Sequence, residues 1–250
     1  MRGWARKLLG YVGALAVLLL AWAALSAAIG SPVLPGPVIA ITTLVEQWAE
    51  IWPQIVVSAW RVVAAMAIGT ALAVPLGLWL GRSATADAVA APMIFLLYPI
   101  PKVVFLPVFM LLLGLGNTPK IALIALIVFF QILVTARDAA KAVPEGSIVS
   151  VRSLGASPID VYRHVVVPAS LPDIFTALRI GTGTAIAVLF LAEATAGSSG
   201  LGYYIVDAWG QIDYAAMFAG IIAMALLGVV LYEALDALET WATRWRAAGR

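Results

Sequence analysis

The chain has no cysteine and one histidine, His164, which excludes disulfides and thiolate metal sites outright. No His-Glu-x-x-His or other paired metal-ligand spacing occurs. Charge is scarce too: 15 basic and 13 acidic residues in 250 leave a net charge of +2. No basic stripe exists on which a nucleic-acid backbone would lie. No Gly-x-x-x-x-Gly-Lys-Ser/Thr loop is present, so nucleotide is not held in that manner. The carboxylates are scattered, which argues against a membrane-embedded enzyme with its catalytic groups at one depth. A proton relay needs several ionisable groups in line, and His164 reads instead as a surface residue.

Apolar side chains fill the space that charge leaves. The chain is 63% hydrophobic with a mean hydropathy of +1.03, outside the range of soluble domains. A helix needs about 20 mostly apolar residues to cross a bilayer. The gaps between charges predict six such spans, at Leu8–Ile29, Gln54–Gly81, Val89–Leu115, Ile121–Ala136, Ile174–Ala196 and Tyr214–Leu235. The first, 8–29, follows Arg2, Arg6 and Lys7 and is expected to be a retained anchor; Ala24–Ala28 offers only a weak cleavage signal. Core spans then cover about 54–235, and residues 1–250 form a single membrane domain. With the N-terminus inside, the inner segments hold Arg2, Arg6, Lys7, Arg82, Arg137, Lys141, Arg152, Arg163, Arg244, Arg246 and Arg250, most of the basic residues. The positive-inside rule therefore puts both termini in the cytoplasm. Only Lys120 falls in an outer loop on this scheme. Outside, Val38–Trp52 reads as an amphipathic helix at the interface. Gly197–Gly202 is either a re-entrant loop or an ordinary outer turn.

One segment must leave the bilayer. Between Arg137 and Asp173 eight charged residues fall in 37 positions. Pro144 and Glu145 suit a helix start. Ile148, Val151 and Leu154 make a narrow apolar stripe, and Gly155 is placed to end the helix in the left-handed conformation. Ser157-Pro158-Ile159-Asp160 opens a second helix with a cap, a proline and an acid three residues on. Pro168 is expected to stop it, and Ser170-Leu171-Pro172-Asp173 to start the next.

This segment resembles the cytoplasmic loop of permease subunits of binding-protein-dependent ABC importers. Their motif, Glu-Ala-Ala, three residues, Gly, nine residues, Ile-x-Leu-Pro, falls on Val149-Ser150-Val151, Gly155, Val165, Val167 and Pro168. The spacing holds, but Val149 replaces the Glu and both alanines are changed. Arg152–Ser157, Arg163–Pro168, Leu76-Gly77, Gly81-Arg82-Ser83 and Ser199–Tyr203 resemble the sulfonate, taurine and nitrate branch. The resemblance runs from about Ser58 to the C-terminus. It implies an all-helical permease of the type I importer kind, of about six spans, in a bacterial inner membrane, with a coupling loop over about 137–173. It implies that Val149, Ser150, Val151, Arg152, Leu154, Gly155, Ala156, Ser157 and Pro168 meet a separate ATPase. It also implies a second permease copy and a periplasmic or lipid-anchored solute-binding protein. The chain itself would bind no cofactor and catalyse nothing; ATP and magnesium belong to the ATPase. A small anion is the leading solute. A thiamine-precursor pyrimidine, or an ion-coupled secondary transporter without an ATPase, is the alternative.

Four charges sit in or beside apolar runs: Arg61, Lys102, Arg179 and Glu193. Lys102 and Glu193 are the candidates for the translocation path. Lys102 follows Tyr98-Pro99-Ile100-Pro101, so a structural helix break competes with a solute-facing role. Arg61 and Arg179 read better as snorkelling from span ends, with Glu193 near the outer mouth. Gly181-Thr182-Gly183 is expected to allow close helix packing. Because the chain has no cysteine, topology is directly testable. A single cysteine at Asp160 should resist a membrane-impermeant thiol reagent in intact cells and react in inverted vesicles. Labelling from outside sealed cells would reverse the orientation.

Overall fold

In a computed structural model of the chain, residues 2–246 are described. Arg250 and the side chains of Arg2, Arg6, Lys7 and Arg246, which enter the charge argument above, lie outside the described residues. The helices are α1 (Arg2–Ile29), α2 (Pro37–Glu46), α3 (Trp48–Arg82), α4 (Ala84–Leu97), α5 (Leu106–Leu113), α6 (Asn117–Ala142), α7 (Glu145–Ser153), α8 (Pro158–Val161), α9 (Val167–Ala196), α10 (Leu201–Gly210) and α11 (Tyr214–Ala242). Among the described residues five helices are long and apolar enough to cross a membrane, or six if the bent pair α4–α5 counts as one span. The all-helical expectation stands, with several changes in detail.

The third span is broken. α4 and the segment Lys102–Leu113 meet at 82°. Pro99 and Pro101 remove backbone donors between them, and Lys102–Phe105 is only a 3₁₀ turn. The interfacial helix is split as well: α2 ends at Glu46, and Trp48, Glu50 and Trp52 belong to the start of α3. Gln47 makes the break, its N–H donating back to Thr43 O at 2.9 Å. Trp48 and Trp52, both about half exposed, stack near that end with centroids 5.5 Å apart. Such aromatics suit a headgroup layer. Pro168 and Pro172 do not interrupt α9. The chain passes from α8 through a single π-helical stretch, Tyr162–Val166, straight into α9. Pro168 falls in the first turn of α9, where a missing N–H costs least.

The core lies among α3, α6 and α9, where Val62, Ala65, Ala73, Leu123, Val128, Ile132, Ala136, Ala185 and Leu189 are all fully buried. Association within a bilayer depends on close packing, since hydrocarbon is as apolar as leucine. Glycines on one face of α3 provide it. A Cβ on Gly69 would meet Ala125 O at 3.0 Å, and one on Gly77 would meet Leu133 O at 2.7 Å and Ala136 Cβ at 2.8 Å. A Cβ on Gly81 would collide with Arg137 O. The pattern Gly181-Thr182-Gly183 does less than its sequence implies. Gly181 lies beside Gln131, whereas a Cβ on Gly183 would meet nothing within 4 Å. A second cluster, Leu44, Ile51, Leu201, Ile205, Ala219, Ala223, Met224 and Leu227, joins α2, α3, α10 and α11.

Overpacking a tight contact costs about 1–3 kcal/mol. Gly77→Val should therefore lower the melting temperature of the detergent-solubilised protein, while Gly183→Ala should leave it unchanged. Equal melting of the two variants would remove the α3–α6 contact as the determinant of the core.

Candidate functional site

At one end of the bundle, α7 and α8 form a knob with Gly155 at its bend. Gly155 has φ +87, and its N–H donates to Arg152 O at 2.9 Å, while Ala156 N donates to Val151 O at 3.4 Å. Few residues with a Cβ accept that conformation. Ser157 and Asp160 make a full capping box: Ser157 N donates to Asp160 Oδ2 at 3.0 Å and Asp160 N to Ser157 Oγ at 3.3 Å. The Asp160 carboxylate is thus committed, and neighbouring Ile159 is a better place for a topology cysteine. The apolar stripe of α7 divides. Ile148 is fully buried and anchors the knob, Val151 is half-buried, and Leu154 is 87% exposed. Val149 and Ile159 are also exposed, so three apolar side chains stand out beside Ser150, Arg152 and Ser157. Pro168 lies half-buried where the knob enters α9. Arg82 Nη2 reaches Glu145 Oε2 at 2.8 Å, fastening the end of α3 to the start of α7. His164 is exposed, its Nδ1 3.0 Å from Asp160 O.

Toward the opposite end, Arg61 is not snorkelling. It is 2% exposed and Glu193 is fully buried. Arg61 Nη1 donates to Glu193 Oε1 at 2.6 Å and to Ser199 O at 2.8 Å; Nη2 donates to Ser199 Oγ at 2.9 Å and Asn117 Oδ1 at 2.7 Å; Nε donates to Asn117 Oδ1 at 2.9 Å. These five contacts match the five donors of a guanidinium. Ser58 Oγ lies 2.9 Å from both Glu193 oxygens and accepts from Leu201 N at 2.8 Å, while Gly202 N donates to Glu193 Oε2 at 2.8 Å. Gly200, at φ +103, lets its N–H reach Gln54 Oε1 at 2.6 Å. Gly197–Gly202 is therefore not a free outer turn: its polar groups are met by protein, as irregular backbone at membrane depth requires. It is clamped between α3 and α9. Glu193, expected from sequence on the translocation path, is fully buried and holds α3, α9 and the Gly197–Gly202 segment together through Ser58, Arg61 and Gly202. Lys120, assigned above to an outer loop, is 2% exposed in the first turn of α6, beside Asn117. Close by, Tyr204 donates to Gln47 Oε1 at 2.5 Å. Burial, then Glu50 and Asp213, push its phenol up to about 12, so it stays a neutral donor at working pH.

Arg179, Asp87 and Lys102 also have partners. Arg179 bonds Asp236 at 2.5 Å and Glu239 at 3.1 Å, so it ties α9 to α11 instead of snorkelling. Asp87 of α4 bonds Arg137 and, at 2.5 Å, Lys141 of α6. Lys102 sits at the break. Its Nζ donates to Leu97 O at 3.0 Å and Tyr98 O at 2.6 Å, and lies 4.6 Å from the Phe130 ring centroid. It satisfies carbonyls that the break frees. Sequence reasoning missed Ser58, Gln54, Asn117 and Ser199 as partners of the buried pair. A usable signal was there: a charge inside a span needs a counter-charge at its own depth, and Arg61 and Glu193 are matched in this way.

Removing one partner of a buried pair costs about 3–5 kcal/mol, because the other charge is left uncompensated. Glu193→Gln should therefore destabilise the detergent-solubilised chain strongly. Glu193→Leu combined with Arg61→Met should lose less than the sum of the single changes. A Glu193→Gln variant that melts like wild type would refute the lock.

Residues 73–244 match the family model described as "Binding-protein-dependent transport system inner membrane component". The taurine transport system permease protein TauC of Escherichia coli (strain K12) is 33% identical over 197 residues, 79% of this chain and 72% of that protein. The putative aliphatic sulfonates transport permease protein SsuC of the same organism is 29% identical over 86% of this chain and 83% of that protein. Among solved structures, an inward-facing form of the MetNI methionine ABC transporter matches with a TM-score of 0.65 at 20% identity, over 78% of this chain and 98% of that one. With the ion-coupled alternative thereby set aside, this multi-pass chain belongs to the binding-protein-dependent inner-membrane component family and is a permease subunit of an ABC importer.

Proposed function

We propose that this permease imports a small oxyanion or sulfonate, in the manner of its taurine and aliphatic-sulfonate relatives, by alternating access driven by a separate ATPase. The knob carries the reading. Leu154, Ile159 and Val149 are apolar side chains held out into solvent on a Gly155 bend, an arrangement that favours docking into a partner's groove. Val149, Ser150, Val151, Arg152, Ala156, Ser157 and Pro168 complete the coupling surface. Closure of two ATPase subunits on ATP and magnesium would pull paired knobs together. α8 runs into α9 without a stop, so movement of the knob passes to a whole span. In this reading two copies of the chain pair around the path, a periplasmic or lipid-anchored binding protein delivers the solute, and both termini and the knob lie in the cytoplasm.

Support for an anionic solute comes from Lys102. It lies beside Phe130, near the middle of α6. Two of its three N–H donors go to carbonyls, which leaves one for an anionic group. Glu193 takes no part in the path.

Gly155→Val should leave a folded chain, since a Cβ there meets nothing within 4 Å and the strain of about 1 kcal/mol is local. It should bind the ATPase poorly; Gly155→Ala should do so less, and Leu154→Glu should weaken docking without touching the backbone. ATPase co-purification and binding-protein-stimulated hydrolysis in reconstituted vesicles read the effect. Wild-type stimulation by both Gly155→Val and Leu154→Glu would show that the knob is not the coupling element.

A further inference from the structure

α6 and α9 are apolar helices, yet the open cleft between them at the knob end carries polar side chains among apolar ones. On α6, Gln131, Thr135 and Asp138 recur at helical spacing; on α9, Asp173, Thr176 and Thr184 do the same. Thr135, Asp138, Asp173 and Thr176 line an open cleft of about 380 Å³ between the two helices. That size suits a small solute, since small-molecule sites begin near roughly 300 Å³. Asp138, Asp173 and Thr176 are exposed and Thr135 is half-buried.

One turn further along α6 the polar face ends at Gln131. Its Nε2 donates to Thr184 Oγ1 at 3.2 Å, but its Oε1 is buried without a partner. Gly181 leaves room above that oxygen: a Cβ there would approach it to 3.4 Å. The two cleft threonines need no neighbour, because Thr135 donates to Gln131 O at 3.1 Å and Thr176 to Pro172 O at 3.0 Å. Gln131 does need one, and a buried unpaired acceptor costs about 1–3 kcal/mol. An N–H or O–H from water or solute would supply it. Gln131 stands eleven residues before the end of α6 at Ala142, roughly 16 Å at the α-helical rise. A row of polar side chains, flanked by Val134, Ala139, Ala177 and the exposed Ile180, therefore reaches from the knob end to about mid-depth.

Lipid is the wrong occupant for this surface. Polar and ionisable groups in spanning helices face a bundle interior or a water-filled cavity. Resting on the permease reading above, we infer that the α6–α9 cleft is the cytoplasmic leg of the solute path. It is a water-filled groove that ends at the Gln131–Thr184 pair and that the solute crosses hydrated, since Asp138 and Asp173 would repel an anion held against them. Because the same two helices carry the knob at their ends, movement of the knob would open and close it.

The test uses single cysteines in the complete complex with its ATPase subunits, in inverted vesicles, with the cationic, membrane-impermeant reagent methanethiosulfonate ethyltrimethylammonium, which the Asp138 and Asp173 carboxylates do not repel. Thr135→Cys and Thr176→Cys should react, whereas Val229→Cys and Leu112→Cys, on exposed apolar faces, should not. Trapping the ATPase with MgATP and vanadate should abolish the reaction at both threonine positions. No reaction in an assembled complex that hydrolyses ATP would overturn the assignment, whether lipid or a second copy covers the cleft. Reaction that persists unchanged on trapping would also overturn it, leaving a static crevice. Failure of the unmodified chain to assemble with an ATPase would instead defeat the importer reading itself, so the two failures are distinguishable.

Discussion

A guanidinium buried in a membrane helix has to place five donors where no water is at hand, and Arg61 does so through two helices and a loop. Glu193 of α9 takes the charge, Asn117 at the start of α6 takes two bonds, and Ser199 takes two more. The carboxylate then draws in Ser58 and the backbone N–H of Gly202. Each group has little freedom, since an unpaired charge at this depth would cost several kcal/mol. Irregular backbone is tolerated at membrane depth only when its polar groups are met by protein. The Gly197–Gly202 turn meets that condition because this pair is built around it. Three spans are thereby pinned at one end of the bundle.

At the other end the fastenings are of a different kind. Arg82–Glu145 and the Asp87 contacts with Arg137 and Lys141 join neighbouring helices near the knob, and Arg179 with Asp236 and Glu239 joins α9 to α11 deeper in the bundle. These pairs are partly exposed and therefore weaker and easier to rearrange than a fully buried one. The bundle is thus fixed firmly at one end and held by more exposed ion pairs toward the other. The glycine face of α3 keeps α6 close along its length, so α3 and α6 are suited to move as a unit.

Two interruptions of regular helix complete the bundle. Lys102 closes off the carbonyls where α4 breaks, and the π-helical stretch before α9 carries the knob into a span without a loop. Each answers the same constraint, that backbone groups in or near a bilayer must be satisfied locally.

The sequence by itself determined the membrane class, the approximate spans, the polar knob, the left-handed glycine at 155 and the Ser157–Asp160 cap. All of these depend on local composition or on contacts a few residues apart, which periodicity and capping chemistry reveal. Only the tertiary structure decided the fate of the long-range charges. Arg61 and Arg179 looked like span-end cations, Glu193 like a mouth residue and Lys120 like a loop residue, because hydropathy ranks residues along the chain and is blind to partners. Arg61 and Glu193 are 132 positions apart, and nothing local to either shows that the other lies at its depth. The same holds for the α3 glycines, whose role is set by carbonyls of α6, and for the break after α4, where the prolines allow a bend but only packing fixes its 82°. Local preferences choose the elements; burial of charge and close backbone approach, which join distant parts of the chain, decide how they are held.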